Sequence, residues 1–174
     1  TVKAGNDANV AALGEMWHGA GKGYQDVLMV TLGTGVGGGC VLNGKIVSGI
    51  HGAGGEIGHM PVMDDEPIAC NCGNHGCLEQ YVSATGIVNQ AKKVLDLDDR
   101  ASSLRNYSSL EAKNIYDEAK NGDVIANETV DSTCKILAKA LAQVCSMIDP
   151  EIIVIGGGVS KAGDILTLRI TQSF

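Results

Sequence analysis

Apolar residues along the chain follow two different periods, one typical of amphipathic helices and one of buried strands. Two nearly continuous apolar runs, at 26–32 and 151–155, predict strands that lie inside an α/β sheet. Between positions 124 and 148 apolar residues recur every three or four positions, which predicts a long helix with one apolar face. That face comprises Val130, Cys134, Leu137, Leu141, Val144 and Ile148.

Local signals predict the shorter elements around these three. Asn6 and Asp7 are suited to cap a helix that begins beside them, because their side chains accept hydrogen bonds from free amides. Asn43-Gly44 between two short apolar runs predicts a β-hairpin. The remaining helices are expected near 83–96, near 108–121 and, briefly, after the glycines at 156–158.

Residues 49–80, in contrast, are rich in glycine and irregular. A loop of that length inside a compact domain is usually functional. No repeat, linker or low-complexity stretch interrupts the chain, so residues 1–174 are expected to form a single α/β domain.

Composition narrows the classes of function. The net charge of -7 and the pI near 4.9 argue against a nucleic-acid surface. No apolar run reaches the length of a membrane span, and no signal peptide indicates an oxidising compartment. The chain begins without methionine, so we expect it to be part of a larger protein.

The irregular segment contains the clearest metal-ligand pattern of the chain. Cys70, Cys72 and Cys77 lie within eight residues, and His59 precedes the first of them by eleven positions. Three thiolates and one imidazole are typical ligands of tetrahedral zinc. Four protein ligands leave no open position for a water molecule, so the predicted site is structural rather than catalytic.

Alternatives to this ligand set remain open. His75 competes with His59 as the fourth ligand, and the three cysteines could instead be buried packing residues or include a disulfide. Cys40, Cys134 and Cys145 lie in apolar or helical contexts and are expected to be ordinary core thiols.

Two glycine clusters are candidates for nucleotide contacts. The first, at 33–39, has the G-x-G-x-x-G spacing, but a strand follows it where the dinucleotide fingerprint needs a helix. It favours a strand–turn–strand loop whose amides and Thr34 hydroxyl face phosphate oxygens, with a purely structural turn as the alternative. The second, at 156–158, leads from a strand into a helix, where α/β sheets bind nucleotides; close helix–strand packing is its alternative.

These motifs occur together, in one order, in a known family. The segments at 6–15 and 32–39, Gly55-Glu-Ile-Gly-His59 and Cys70-x-Cys72-Gly-x-x-Gly-Cys77-Leu-Glu79 resemble the ROK family of repressors and sugar kinases, and within it the bacterial glucokinases. The resemblance implies an actin-like ATPase (ribonuclease H-like) fold, in which two lobes close on a sugar and ATP. The chain is similar to the larger C-terminal lobe alone, with a mixed sheet, packed helices and a zinc-stabilised loop.

The resemblance also implies roles for the residues around the sugar. Asp7 would be the general base that accepts the proton of the attacking hydroxyl; the alternative is that it only caps a helix. The other sugar hydroxyls would be bound by Asn6, Glu56, His59 and Glu79, since a carboxylate accepts two hydroxyl bonds. His59 would use one ring nitrogen for zinc and the other for sugar.

The nucleotide would contact the two glycine clusters. Thr34 and Gly35 would bind the phosphates of ATP, whereas Gly157, Gly158 and Val159 would border the adenosine. Mg²⁺ would arrive with the phosphates. The implied reaction is the phosphorylation of glucose to glucose 6-phosphate, and this lobe alone is expected to be inactive because both lobes must grip ATP.

Other functions within the family remain open. The chain could be the sugar-sensing lobe of a ROK transcriptional repressor, or belong to a kinase for another hexose such as N-acetylmannosamine or fructose. Asp7 and the two glycine clusters favour the kinase. The resemblance also implies a cytoplasmic homodimer, with no nucleic acid or membrane bound through this lobe.

Overall fold

The computed structural model describes residues 6–174, in which four strands form one mixed sheet. β1 (Val27–Leu32), β2 (Val36–Leu42) and β3 (Lys45–Ile46) run antiparallel in succession, and β4 (Ile152–Gly156) lies parallel to β1. The order across the sheet is β3-β2-β1-β4. The sheet thus combines a local meander with one strand that returns from far along the chain.

Six helices accompany the sheet: α1 (Asp7–His18), α2 (Glu79–Val82), α3 (Ala84–Leu97), α4 (Ala112–Lys120), α5 (Val124–Ile148) and α6 (Asp164–Ser173). Short 3₁₀ turns are found at Ile57–His59, Ser103–Asn106 and Val159–Ala162. α1 begins where the Asn6 side chain accepts hydrogen bonds from two free amides, and α5 begins where Asp123 accepts one from Ala126. Among residues 6–174, no helix combines the length and apolar character that crossing a membrane requires.

The continuous apolar run of β1 is explained by helices on both faces of the sheet. Val27 and Met29 face α1 in a small core, whereas Leu28, Val30 and Leu32 join the large core that contains α3 to α6. In α5 the predicted stripe is buried from Val130 to Leu141 and partly buried at its C-terminal end. The molecule therefore has three layers, with one helix on one face and the other helices on the opposite face.

Most of the predicted elements are confirmed. The long helix has the predicted bounds, and the hairpin turns at Asn43 and Gly44, whose φ angles of 50° and 70° suit a two-residue connection. α4 begins later than predicted, and the turn at Ser103–Asn106 was not predicted.

The prediction that residues 151–155 form a buried interior strand is wrong. β4 pairs with β1 alone, so it lies at an edge of the described sheet, and Val154 is its one buried residue. Its apolar character has another cause: Ile153 and Ile155 pack against the large core, and Ile152 packs against the small one. A strand covered on both faces is apolar wherever it lies in the sheet.

Candidate functional site

The N-terminus of α1 lies beside the irregular, Gly-rich loop at residues 49–78. Asn6 Oδ1 accepts hydrogen bonds from the amides of Ala8 and Asn9, and its Nδ2 donates to Glu56 Oε1 at 3.3 Å. Asp7 is exposed, and its Oδ1 accepts a hydrogen bond from the Ala8 amide at 2.8 Å. Asn6 is therefore the helix cap, and it also joins the helix to the first carboxylate of the loop.

The glycines at 33–39 divide into two groups with different roles. Residues 33–35 form the turn between β1 and β2, closed by a hydrogen bond from the Gly33 amide to the Gly35 carbonyl at 3.0 Å. The other three lie within β2, where a Cβ on Gly39 would lie 2.5 Å from the Ala8 carbonyl oxygen. These strand glycines let α1 and the Gly-rich loop approach β2, so only the turn itself is free to face a ligand.

The predicted metal ligands converge in this Gly-rich loop, residues 49–78, which is called the metal loop from here on. Its His59, Cys70, Cys72 and Cys77 each direct one ligand atom into a cluster whose atoms all lie within 4.8 Å of one another. Hydrogen bonds from Cys70 N to Asn74 O and from Gly73 N to Cys70 O curl the chain around this cluster.

The cluster has the size of a tetrahedral zinc site. With Zn–S bonds of about 2.3 Å, two sulfurs of such a site lie about 3.8 Å apart. Cys72 Sγ and Cys77 Sγ are separated by 3.6 Å, and Cys70 Sγ lies 3.8 Å from His59 Nδ1. These spacings and the N/S donor set fit zinc.

His75 lies outside the described cluster and has a different partner. Its Nδ1 makes a 2.8 Å hydrogen bond to the Glu66 carbonyl oxygen. Of the two candidate histidines, His59 is therefore the one whose ring meets the cysteines, through Nδ1.

The thiols of the cluster differ in acidity. Burial raises the pKa of Cys70 to about 12 and also raises the pKa of Cys77. The Asn74 amide, which hydrogen-bonds to Cys72, lowers the pKa of that exposed thiol. Two of the three cysteines therefore stay protonated unless a cation replaces their protons, as a thiolate-bound metal ion does.

Glu79, the first residue of α2, connects the metal cluster to the glycine turn. Its Oε1 accepts a hydrogen bond from Cys70 Sγ at 3.0 Å and lies 3.7 Å from His59 Nδ1. On its other side, a Cβ on Gly35 would lie 2.8 Å from Glu79 Oε2. A side chain at position 35 would push the Glu79 carboxylate away from the turn.

Two neighbouring cavities share a wall, and the smaller one borders the turn. A cavity of about 360 Å³ contains Thr34, Gly35 and Glu79 in its lining. A larger cavity of about 600 Å³ lies between α3, α4 and the segment that follows β4. Thr85 and Asn89 on α3 line both cavities, so the helix connects them.

The second glycine cluster contributes to the larger cavity in part. Gly158 and Val159 line it. Gly157 instead has φ of 88° and packs on β1, because a Cβ there would lie 2.5 Å from the Leu32 carbonyl oxygen. The close-packing alternative therefore accounts for Gly157, and the two residues after it face the cavity.

Two features of the site had no signal in the sequence. Four lysines from three separate segments of the chain line the larger cavity, namely Lys92, Lys113, Lys120 and Lys161. Glu66, which stands beside two exposed aspartates, is buried and bonded to two helices. Both depend on tertiary contacts that no local spacing encodes.

Comparisons with known proteins find relatives of this chain in sequence and in structure. The chain is 47% identical over 172 residues to a glucokinase of Halalkalibacterium halodurans, covering 97% of this chain and 52% of that protein. It superposes with TM-score 0.84 and 36% identity on a ROK family glucokinase from Streptomyces griseus in complex with glucose and AMPPNP, covering 98% of this chain and 56% of that one. A ROK family transcriptional regulator, a homolog of the E. coli MLC protein, gives TM-score 0.86 and 31% identity, covering 97% and 42%.

Two further results concern how much of each sequence is matched. The chain spans about half the length of the curated relatives it matches. The model of the ROK family matches residues 1–174, from one end of the chain to the other. The chain belongs to the ROK family.

Proposed function

We propose that this chain is the larger lobe of an ATP-dependent hexose kinase that converts glucose to glucose 6-phosphate. The lobe would have the actin-like ATPase (ribonuclease H-like) fold, with residues 1–174 as one domain. The glucokinases among its relatives support this assignment. A zinc ion on His59, Cys70, Cys72 and Cys77 would stabilise the metal loop.

One observation carries the proposal: the polar groups, the glycine turn and the two cavities are neighbours in that order, each in contact with the next. Asn6 contacts Glu56, His59 follows on the same 3₁₀ turn, and Glu79 connects His59 to the turn at Gly35. The turn lines the smaller cavity, and α3 connects this to the larger one. A phosphoryl-transfer site needs this sequence of hydroxyl acceptors, phosphate contacts and nucleoside pocket.

At the sugar end, Asp7 would accept the proton of the attacking hydroxyl. Its exposed carboxylate begins α1 beside Asn6, which also bonds to Glu56. Asn6, Glu56, His59 and Glu79 would bind the remaining hydroxyls, with His59 Nε2 free for sugar once Nδ1 holds zinc. The metal cluster would hold the loop residues among these groups in place, so that less conformational entropy is lost when sugar binds.

At the nucleotide end, Thr34 and Gly35 would contact the phosphates of ATP, with Mg²⁺ bound mainly by those phosphates. Gly158 and Val159 would border the adenosine, and Gly157, which packs against β1, would support them. Four lysines around the larger cavity would supply positive charge beside the nucleotide, offset in part by Glu111 and Asp117 in the same lining. Asp117 accepts a hydrogen bond from Lys113 at 2.6 Å, and this raises the pKa of Lys113, which keeps the lysine charged.

The first test is Asp7→Asn in the full-length protein, assayed by coupled formation of glucose 6-phosphate from glucose and ATP. Turnover should fall by roughly 10²–10⁴-fold, the range for loss of a general base, while glucose affinity measured by calorimetry stays near that of wild type. Asp164→Asn is the matched control, because Asp164 is also an exposed first residue of a helix but lies on α6. Full activity in Asp7→Asn would leave Asp7 with no role beyond the helix terminus.

A sugar-sensing lobe of a transcriptional regulator is the second candidate, favoured by the TM-score of 0.86 to such a protein. That function predicts calorimetric sugar binding by the wild-type protein without any ATP-dependent turnover. The same assay run with N-acetylmannosamine and fructose tests the other hexoses. Size-exclusion chromatography with light scattering tests the expected homodimer, and cell fractionation tests the expected cytoplasmic location.

A further inference from the structure

The metal loop contains a buried carboxylate that the proposed reaction does not use. Glu66 lies between His59 and Cys70 in sequence and is 7% exposed, although both preceding residues, Asp64 and Asp65, are exposed. A buried carboxylate is costly unless donors surround it, so its position requires an explanation.

Three donors from different parts of the fold converge on the Glu66 side chain. Tyr81 Oη on α2 donates to Oε2 at 2.6 Å, and Lys93 Nζ on α3 donates to the same oxygen at 3.1 Å. The Ile68 amide in the loop itself donates to Oε1 at 3.2 Å. The Tyr81 hydrogen bond is the largest of the effects that lower the pKa of Glu66, so the carboxylate is ionised at neutral pH.

The backbone of Glu66 adds a fourth connection. Its carbonyl oxygen accepts the hydrogen bond from His75, which lies between Cys72 and Cys77. One residue therefore joins the outgoing arm of the loop, its returning arm and two helices of the domain. The metal ligands lie on both arms, which backbone hydrogen bonds from Val62 N to Gly76 O and from Leu78 N to Met60 O also join near His59 and Cys77.

We propose that Glu66 is a positioning residue for the metal site: it holds the two arms of the metal loop at the spacing the four ligands need and fixes them to α2 and α3. The inference rests on the zinc site proposed above and deepens it. Because α3 also lines both cavities, the same junction connects the metal loop to the proposed nucleotide pocket.

The test is the rate at which full-length zinc-loaded protein releases zinc to the chromophoric chelator 4-(2-pyridylazo)resorcinol. Glu66→Ala should release zinc at least about tenfold faster than wild type, the lower end of the effect of outer-shell partners on metal sites. Glu66→Gln should recover part of the retention, since the amide oxygen still accepts from Tyr81. Asp65→Ala is the matched control, an exposed neighbouring carboxylate, and should release zinc at the wild-type rate.

Tyr81→Phe and Lys93→Met each remove one donor and keep the test decisive if Glu66→Ala does not fold. Each should accelerate release by a smaller factor than Glu66→Ala. A core variant, Leu137→Ala, separates positioning from general stability, because it should weaken the fold without changing the release rate. Wild-type release rates in the Glu66 and donor variants would overturn the inference while leaving the zinc site intact. A wild-type protein that binds no zinc would overturn both.

Discussion

The region formed by the sheet and α5 differs from the metal loop in what holds it together. α5 buries ten of its residues, most of them apolar, against neighbouring helices and the sheet. The metal loop, of similar length, buries few side chains, and these include two candidate metal ligands and the carboxylate of Glu66. The first region is stabilised by apolar burial, whereas the second depends on ligand geometry and polar contacts, so each should respond to its own perturbation.

The proposed site lies where these two regions meet. Asp7 and the turn at Thr34 belong to helix and sheet, whereas Glu56 and His59 belong to the loop. The first group should keep its geometry without metal, and the second should not. Perturbing one region at a time therefore tests the comparison directly.

The largest effect on stability is expected from Leu137→Ala in α5. Leu137 is 1% exposed in the large core, and truncation of such a side chain costs about 2–5 kcal/mol of unfolding free energy. Urea unfolding followed by circular dichroism measures the loss, and elemental analysis should show the zinc content of wild type. A loss below about 1 kcal/mol, or a loss of zinc, would contradict the division into two regions.

A more local effect is expected from Cys77→Ser, which removes a buried ligand of the cluster. Bound zinc should be lost, and hydrogen exchange of the amides at 59–78 should accelerate by at least about tenfold, because local opening is no longer opposed by metal binding. Amides in α5 should exchange as in wild type. Cys145→Ser, a partly buried cysteine outside the cluster, is the control and should retain zinc. Exchange that accelerated equally in both regions would show that the loop is not an independent unit.

The smallest effect is expected at the helix cap of α5. Asp123 accepts hydrogen bonds from the amides of Ala126 and Ser103, and its replacement by alanine should cost roughly 0.5–2 kcal/mol. Burial acts to raise the pKa of Asp123, but these hydrogen bonds outweigh it and bring the pKa below the ordinary value of 3.8.

This shift sets the pH dependence of the difference between wild type and Asp123→Ala. The unfolded state takes up the proton first as pH falls, so the stabilisation is fully present above pH 3.8 and is lost as pH falls through the lower folded-state pKa. Urea unfolding at several pH values measures it, with the exposed Asp96→Ala as control. A difference that grew on acidification would have the wrong sign.

The sequence predicted those parts of the molecule that a local period or a short spacing determines. α5 and β1 were predicted because their apolar positions recur with helical and strand periods, and the metal cluster because its ligands lie close together in the chain. The edge position of β4 was not predictable, since strand order depends on which strands pair and not on their own composition. Glu66 was missed because its partners lie 15 and 27 positions away.

The glycines of β2 determine how far the first turn of α1 stands from the sheet. A Cβ on Gly39 would lie 2.5 Å from the Ala8 carbonyl oxygen and 2.8 Å from Ala12 Cβ, so one added methyl group would act as a spacer under the helix. Asp7 begins that helix and would move outward with it. A displacement of about 1 Å in a reacting group can lower a rate by roughly 10²-fold. The position of the proposed base therefore depends on the strand beneath its helix. β2 has no side chains at three consecutive positions, and this lets α1 lie close to the sheet.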